Sequence, residues 1–218
     1  MALYTLAREA EVLLEIKKSK FIGRVRPVAT EEEAKMWIAD IQKRHHDATH
    51  NCYAYLIGRH QEIQKSNDDG EPSGTAGRPI LETLKKSGLY NVAAVVTRYF
   101  GGVLLGAGGL IRAYSQATAE AVQAAGLVRE VPHTPYLLKM DYPWWGRVEH
   151  LLHKEQHPYD PPEFTNRVTV RVYLAEQAAG SFLNKLAETT NGNVTSEAEN
   201  PVLLRLPATP PDPDQQRD

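Results

Sequence analysis

The segment NDDGEPSGTAGRPILETLKKSG, Asn67 to Gly88, gathers small residues at Gly70, Ser73, Gly74, Thr75, Ala76 and Gly77 just before a short helical pattern. Glycine loops that open helices present free amides to anions, so phosphate binding is the first chemistry to weigh. A second run, RYFGGVLLGAGGLIRAY from Arg98 to Tyr114, has the same character. Neither run ends in the Lys-Ser/Thr pair of a P-loop, and GGVLLGAGGL lacks the G-x-G-x-x-G spacing of a dinucleotide fingerprint. No nucleotide cofactor is expected. The amides of the second run still suit a backbone phosphate, with Arg98 before them and Arg112 a turn or so into the helix. Against that, Gly101, Gly102 and Gly106 can serve only positive φ and close packing.

Asp68, Asp69 and Glu71 crowd one tight turn, where hard cations find carboxylate oxygens, but such acids also cap turns and no calcium-loop spacing is present, so no metal is expected. HHDATHNC offers His46, His50 and Cys52, yet it runs from a helix into a strand and reads as exposed histidines followed by a buried cysteine. Ser73 has no G-x-S-x-G elbow around it. A hydrolase using Asp68, Asp69 and Glu71, or Ser73 with His50, stands as an alternative to a non-enzymatic chain. The one local basic cluster is KKSKFIGRVR. On a strand, Lys18, Lys20, Arg24 and Arg26 point one way and form a stripe able to follow a phosphate backbone. The competing reading is a solvated edge guarded by lysine.

These residues need elements to hold them. The chain has 218 residues, 25 lysines and arginines against 27 acids, and a single cysteine. The charge balance excludes a basic coat and requires any nucleic acid to meet a patch. One cysteine rules out a disulfide framework, and the absence of an apolar signal core or membrane-length run leads us to expect a cytoplasmic protein. EVLLEIKKSKFIGRVRPV predicts a strand pair turning near Lys17 to Ser19. TEEEAKMWIADIQKRHH predicts a helix capped by Thr30 and Glu33, with Ala34, Trp37, Ile38 and Ile41 on one face. Two strands, a short helix over Pro79 to Lys86, a covered central strand VAAVVTRYF and an alanine-rich helix follow. That last helix has its buried positions at Leu110, Ile111, Tyr114, Ala117, Ala121 and Ala125 and stops at Gly126. From Pro132 the order is βαββαβ, the split βαβ arrangement. The fold class is therefore α+β in two domains, 1–130 and 131–207, with 208–218 a disordered proline-rich tail.

Taken together, DDGEPSGTAGRPIL and VVTRYFGGVLLGAGGLIRAYSQA, preceded by KSKFIG and HNCYAY, resemble the IMPACT/YigZ family over roughly residues 3–128. The remainder is similar to that family's bacterial C-terminal domain. The resemblance implies an N-terminal α/β domain like domain IV of elongation factor G, including an unusual left-handed crossover, and a ferredoxin-like C-terminal domain like its domain V. It implies a translation-associated regulator that binds RNA or the ribosome, without cofactor, metal or established catalytic residues. Carried across, one signature loop is His50 with Asp69, Gly70, Glu71, Pro72, Gly74, Thr75, Ala76 and Gly77. The other is Arg98, Tyr99, Phe100, Gly101, Gly102, Gly106, Gly109 and Arg112. The expected RNA contacts are Lys18, Lys20, Arg24, Arg98 and Arg112 around a basic groove, with Tyr99 or Phe100 stacking on a base. A protein partner on the C-terminal sheet is the remaining alternative.

Overall fold

The computed structural model of the chain describes residues 4–208. Of the tail expected over 208–218, Ala208 ends a strand and the rest lies outside the described residues. The chain separates into two compact units, one running to Arg129 and joined again from Leu206, the other Glu130–Arg205. No helix among the described residues is long and apolar enough to cross a membrane.

The first unit is built from β1 (Thr5–Leu6), β2 (Ala10–Ile16), β3 (Ser19–Pro27), α1 (Glu31–Arg44), β4 (His50–Ile57), β5 (Ile63–Asn67), α2 (Gly77–Lys86), β6 (Val92–Tyr99) and α3 (Ala107–Ala125). The sheet order is β2-β3-β6-β4-β5, every pair antiparallel. β6 is central and buried along its length up to Tyr99, as an apolar β-branched run between two neighbours should be. Period-two alternation sends Phe21, Val25, Ala54, Leu56, Ala94 and Val96 to one face, under α2 and α3. Tyr55, Ile57, Ala93 and Val95 go to the other, under Trp37, Ile38 and Ile41 of α1.

This placement fixes the handedness of the crossovers. β3 and β4 are parallel with β6 between them and are joined through α1. β5 and β6 are parallel with β4 between them and are joined through α2. The second connection is the first turned by half a rotation about the sheet normal, so equal hands would put both helices on one face. They lie on opposite faces, and one crossover must be left-handed, against the usual rule.

Thr30 caps α1 by accepting from the Glu33 amide, while Glu33 reaches back to the Ala29 amide, one residue earlier than an ideal capping box. α3 lies close on β3 because Gly23 has no side chain: a Cβ there would stand 2.4 Å from the Ala117 carbonyl oxygen. Phe21 meets Tyr114 edge-on at 5.3 Å between centroids, a contact worth about 1 kcal/mol beyond its burial. Ile111, expected in the core, is instead exposed, because the stripe runs through Leu110, Ala113, Tyr114, Ala117 and Thr118 and leaves it at the rim.

In the second unit, the greater part of β7 (Leu127–Met140), then α4 (Tyr142–Glu155), β8 (Glu163–Phe164), β9 (Val168–Leu174), α5 (Glu176–Thr190) and β10 (Thr195–Ala198) give the expected βαββαβ order, followed by the first residues of β11 (Val202–Ala208). The antiparallel order β10-β7-β9-β8 is that of the ferredoxin-like fold. Val168, Val170, Val172 and Leu174 alternate inward against Val148, Leu152, Phe182 and Leu186, so α4 and α5 share one face.

Candidate functional site

The first glycine loop is closed by the protein itself. Asp68 Oδ2 accepts from the Gly74 amide at 2.8 Å, and Oδ1 accepts from Ala76 at 3.0 Å and Gly77 at 2.7 Å, at the very start of α2. Partial burial works to raise the Asp68 pKa, but the three amide donors outweigh it and hold the carboxyl below its usual value. Asp69 Oδ2 takes the Asn51 amide at 2.6 Å. Gly77 permits the loop to close, since a Cβ there would lie 2.7 Å from the backbone of Asn67. The anion in this cradle is a side chain, and both Asp68 and Asp69 accept backbone amides.

Glu71 turns inward. Its carboxylate, with a side chain 2% exposed, accepts from Arg98 Nη1 at 2.6 Å and from the Tyr114 hydroxyl at 2.8 Å. Burial drives the Tyr114 hydroxyl well above its normal titration range, so it stays a donor. Arg98, 6% exposed in its side chain, lies between the rings of Phe21 and Phe100, each 5.5 Å from the guanidinium carbon. Its Nε is buried without a hydrogen-bond partner. His50 Nδ1 donates to the Asp69 carbonyl at 2.7 Å, which leaves Nε2 facing Glu71 Oε2 at 3.8 Å. Cys52, whose thiol burial pushes up to about 12, donates to the Asp68 carbonyl and is inert. Above this floor is a cavity of about 390 Å³ walled by Thr49, Pro72, Phe100, Leu104, Leu105 and Leu110 and by Gly106 and Ala107 at the start of α3.

A second hollow, about 460 Å³, lies on the sheet and is lined by Leu13, Lys18, Lys20, Ile22, Tyr99 and Phe100. The β2–β3 turn supplies its cations: Ile16 pairs with Ser19, so Lys17 and Lys18 form a two-residue hairpin loop with φ of 47° and 67°. Gly101 seats the next segment on this turn, since a Cβ would come within 2.0 Å of the Lys18 backbone. Lys20 stands directly opposite Tyr99 in the ladder.

Arg24 departs from the solvent-facing stripe that strand periodicity predicts. Its side chain is buried and its donors are taken by Glu11 at 2.6 Å, Thr97 at 3.0 Å and His45 Nε2 at 2.7 Å. It acts on Tyr99 at second hand. Arg24 donates to Nε2 of His45, so Nδ1–H of the neutral ring donates to the Tyr99 hydroxyl, which donates to Asp47. Burial first, and then the Arg24 charge, lower the His45 pKa and keep that ring neutral. Arg26 faces Glu9 and Glu33, each at 3.8 Å, so the stripe is half neutralised. Arg112 is exposed, bonds the Gly108 carbonyl of its own helix, and lines neither hollow.

The pattern described as the Impact N-terminal domain matches residues 17–122, and a domain of unknown function (DUF1949) matches 138–193. The chain is 44% identical over 193 residues to the IMPACT family member YvyE of Bacillus subtilis (strain 168), covering 87% of each. The chain belongs to the IMPACT family. The IMPACT family member YigZ of Escherichia coli (strain K12) is 36% identical over 190 residues, covering 86% of this chain and 93% of that one. A solved structure titled "Crystal structure of an hypothetical protein" shares 34% identity at a TM-score of 0.57, covering 91% of this chain and 97% of its own.

In this IMPACT chain the two signature segments are neighbours, joined by the Arg98–Glu71 pair and by Tyr114, which sequence reasoning had placed only in the core. Thr49, His45, Leu104 and Leu105 escaped it as well. Leu104, 81% exposed beside Phe100 at 47%, was the available signal: two large apolar side chains in a glycine-rich loop between strand and helix.

Proposed function

We propose that this chain is a non-enzymatic, translation-associated regulator that binds RNA, ribosomal RNA included, through its N-terminal unit. What carries the reading is the convergence of Lys18, Lys20, Tyr99 and Phe100 on one hollow. Ammonium groups at a turn tip beside an exposed ring are what a single strand needs: phosphates meet the charges and a base stacks on Phe100, worth about 1–3 kcal/mol for each stacked base. The turn itself supports it. A two-residue hairpin loop with both residues at positive φ is built most easily by Asn-Gly, yet here both corners are lysine. A local rule broken in this way is expected where function requires the side chains. Family membership adds the translational setting as an expectation.

The test is binding of the whole chain to single- and double-stranded RNA oligonucleotides and to ribosomal subunits, with Lys18→Glu/Lys20→Glu alongside. Binding by the wild type that drops at least tenfold in the variant is expected. Equal binding by both proteins would refute the assigned surface, and no binding would refute the RNA reading.

A protein partner on the second unit is the second reading. It is favoured by an exposed aromatic group in which Phe164 stacks on Tyr142 and meets Trp145 edge-on. A partner captured only when residues 133–207 are present, and retained after nuclease, would establish it.

A further inference from the structure

We propose that the cavity beside Phe100 receives one base of the bound strand, turned out from its neighbours, and selects a base that carries an exocyclic amino group. This rests on the RNA reading and adds to it a preference among bases. The walls are apolar, formed by Pro72, Phe100, Leu104, Leu105 and Leu110, and the volume of about 390 Å³ is that of a small-ligand site. The floor is polar and incomplete. Glu71 Oε1 is taken by Arg98 and the Tyr114 hydroxyl, but Oε2 has no hydrogen-bond donor among the described residues and stands 3.8 Å from His50 Nε2, beyond hydrogen-bond reach. His50 must donate through Nδ1 to the Asp69 carbonyl, so Nε2 of the neutral ring is an acceptor too. Two acceptors therefore face each other with no hydrogen between them, and the site calls for a donor.

The kind of donor follows from what surrounds it. A phosphate brings further acceptors. An ammonium group brings a charge that Glu71, already matched by Arg98, does not answer among apolar walls. An aliphatic side chain from a protein would fill the walls and leave both acceptors unpaired. A neutral flat ring with an amino group meets both needs: its faces lie against Phe100 and the leucines, and its two N–H hydrogens serve Glu71 and His50. Adenine, cytosine and guanine carry such a group. Uracil does not, and it sets its one Watson–Crick N–H between carbonyl oxygens that would confront the same acceptors. Phe100 lines both the cavity and the hollow of Lys18, Lys20 and Tyr99, so a strand whose phosphates lie over the lysines has a base at the cavity mouth.

The experiment compares three RNAs on the full chain by fluorescence anisotropy just above neutral pH: an oligouridine, the same strand with one central adenosine, and the same strand with one central purine ribonucleoside, which is adenosine without its amino group. The adenosine RNA should bind about tenfold tighter than the purine RNA. Ala107→Leu enlarges an exposed, cavity-lining residue at the first position of α3, where leucine is a good helix former, and should erase that difference while oligouridine is still bound through the lysines. Equal affinity for the adenosine and purine RNAs, or the reverse order, overturns the base pocket and leaves the RNA reading intact. A difference that survives Ala107→Leu overturns it as well, since the amino group is then read elsewhere. Failure to bind any of the three removes both readings.

Discussion

The buried Glu71–Arg98 pair joins the two signature loops, and its energetics are those of an ion pair that cannot be halved. Both side chains are withdrawn from water, so replacing one leaves the other charged and unmatched. Glu71→Gln should therefore cost about 3 kcal/mol in denaturant unfolding. A loss under about 1 kcal/mol would mean that water reaches the guanidinium. Asp68 makes a separate prediction from pH. Its folded pKa lies below the ordinary aspartate value of 3.8, so its contribution is present above that value and disappears as pH falls through the lower, folded one. Unfolding midpoints should fall between about pH 5 and pH 2 in the wild type and fall less in Asp68→Asn. Identical pH profiles would remove the anion role given to this carboxylate.

At the level of elements, glycines in the same loops differ in purpose, and substitution separates them. Gly77 faces the Asn67 backbone at 2.7 Å, whereas Gly108, inside α3, has open space. Gly77→Ala should destabilise by about 1–3 kcal/mol, and Gly108→Ala should stabilise by about 0.5–1 kcal/mol. Opposite signs in thermal melts are the check. The lysine turn gives a third case: Lys17→Asn/Lys18→Gly should stabilise the hairpin by about 1 kcal/mol and weaken RNA binding together. Much of this layer was legible in the sequence. Thr30 and Glu33 marked the start of α1, Lys17 and Lys18 the hairpin, Gly126 the end of α3 and the βαββαβ rhythm the second unit. α2 starts two residues before Pro79 because Asp68, distant from a helical pattern, anchors its first amides. Arg24 was misread as open because periodicity gives a side chain its face and says nothing of what covers it. Glu11 comes from the neighbouring strand and His45 from beyond the end of α1.

On the scale of the whole molecule, a chain with net charge −2 has no long-range attraction for a polyanion, so its affinity must come from a few local contacts. The two units illustrate how the same βαβ vocabulary is used twice. Helices on one face give the second unit its ferredoxin-like order, while helices on opposite faces force the first unit into mixed handedness and leave the β2–β3 end of its sheet uncovered over Lys20 and Tyr99. The resemblance implied that topology; the sequence pattern by itself did not carry it, because handedness depends on which face each helix takes. The central claim, that this uncovered end meets RNA through a small number of phosphates, is tested most directly by the salt dependence of single-stranded RNA binding in the wild type and in Lys18→Glu/Lys20→Glu. The slope of log affinity against log salt should be shallow, about −1.4 for the two phosphates met by Lys18 and Lys20, and should be lost in the variant. A slope near zero in the wild type, or one unchanged by the two substitutions, would contradict it.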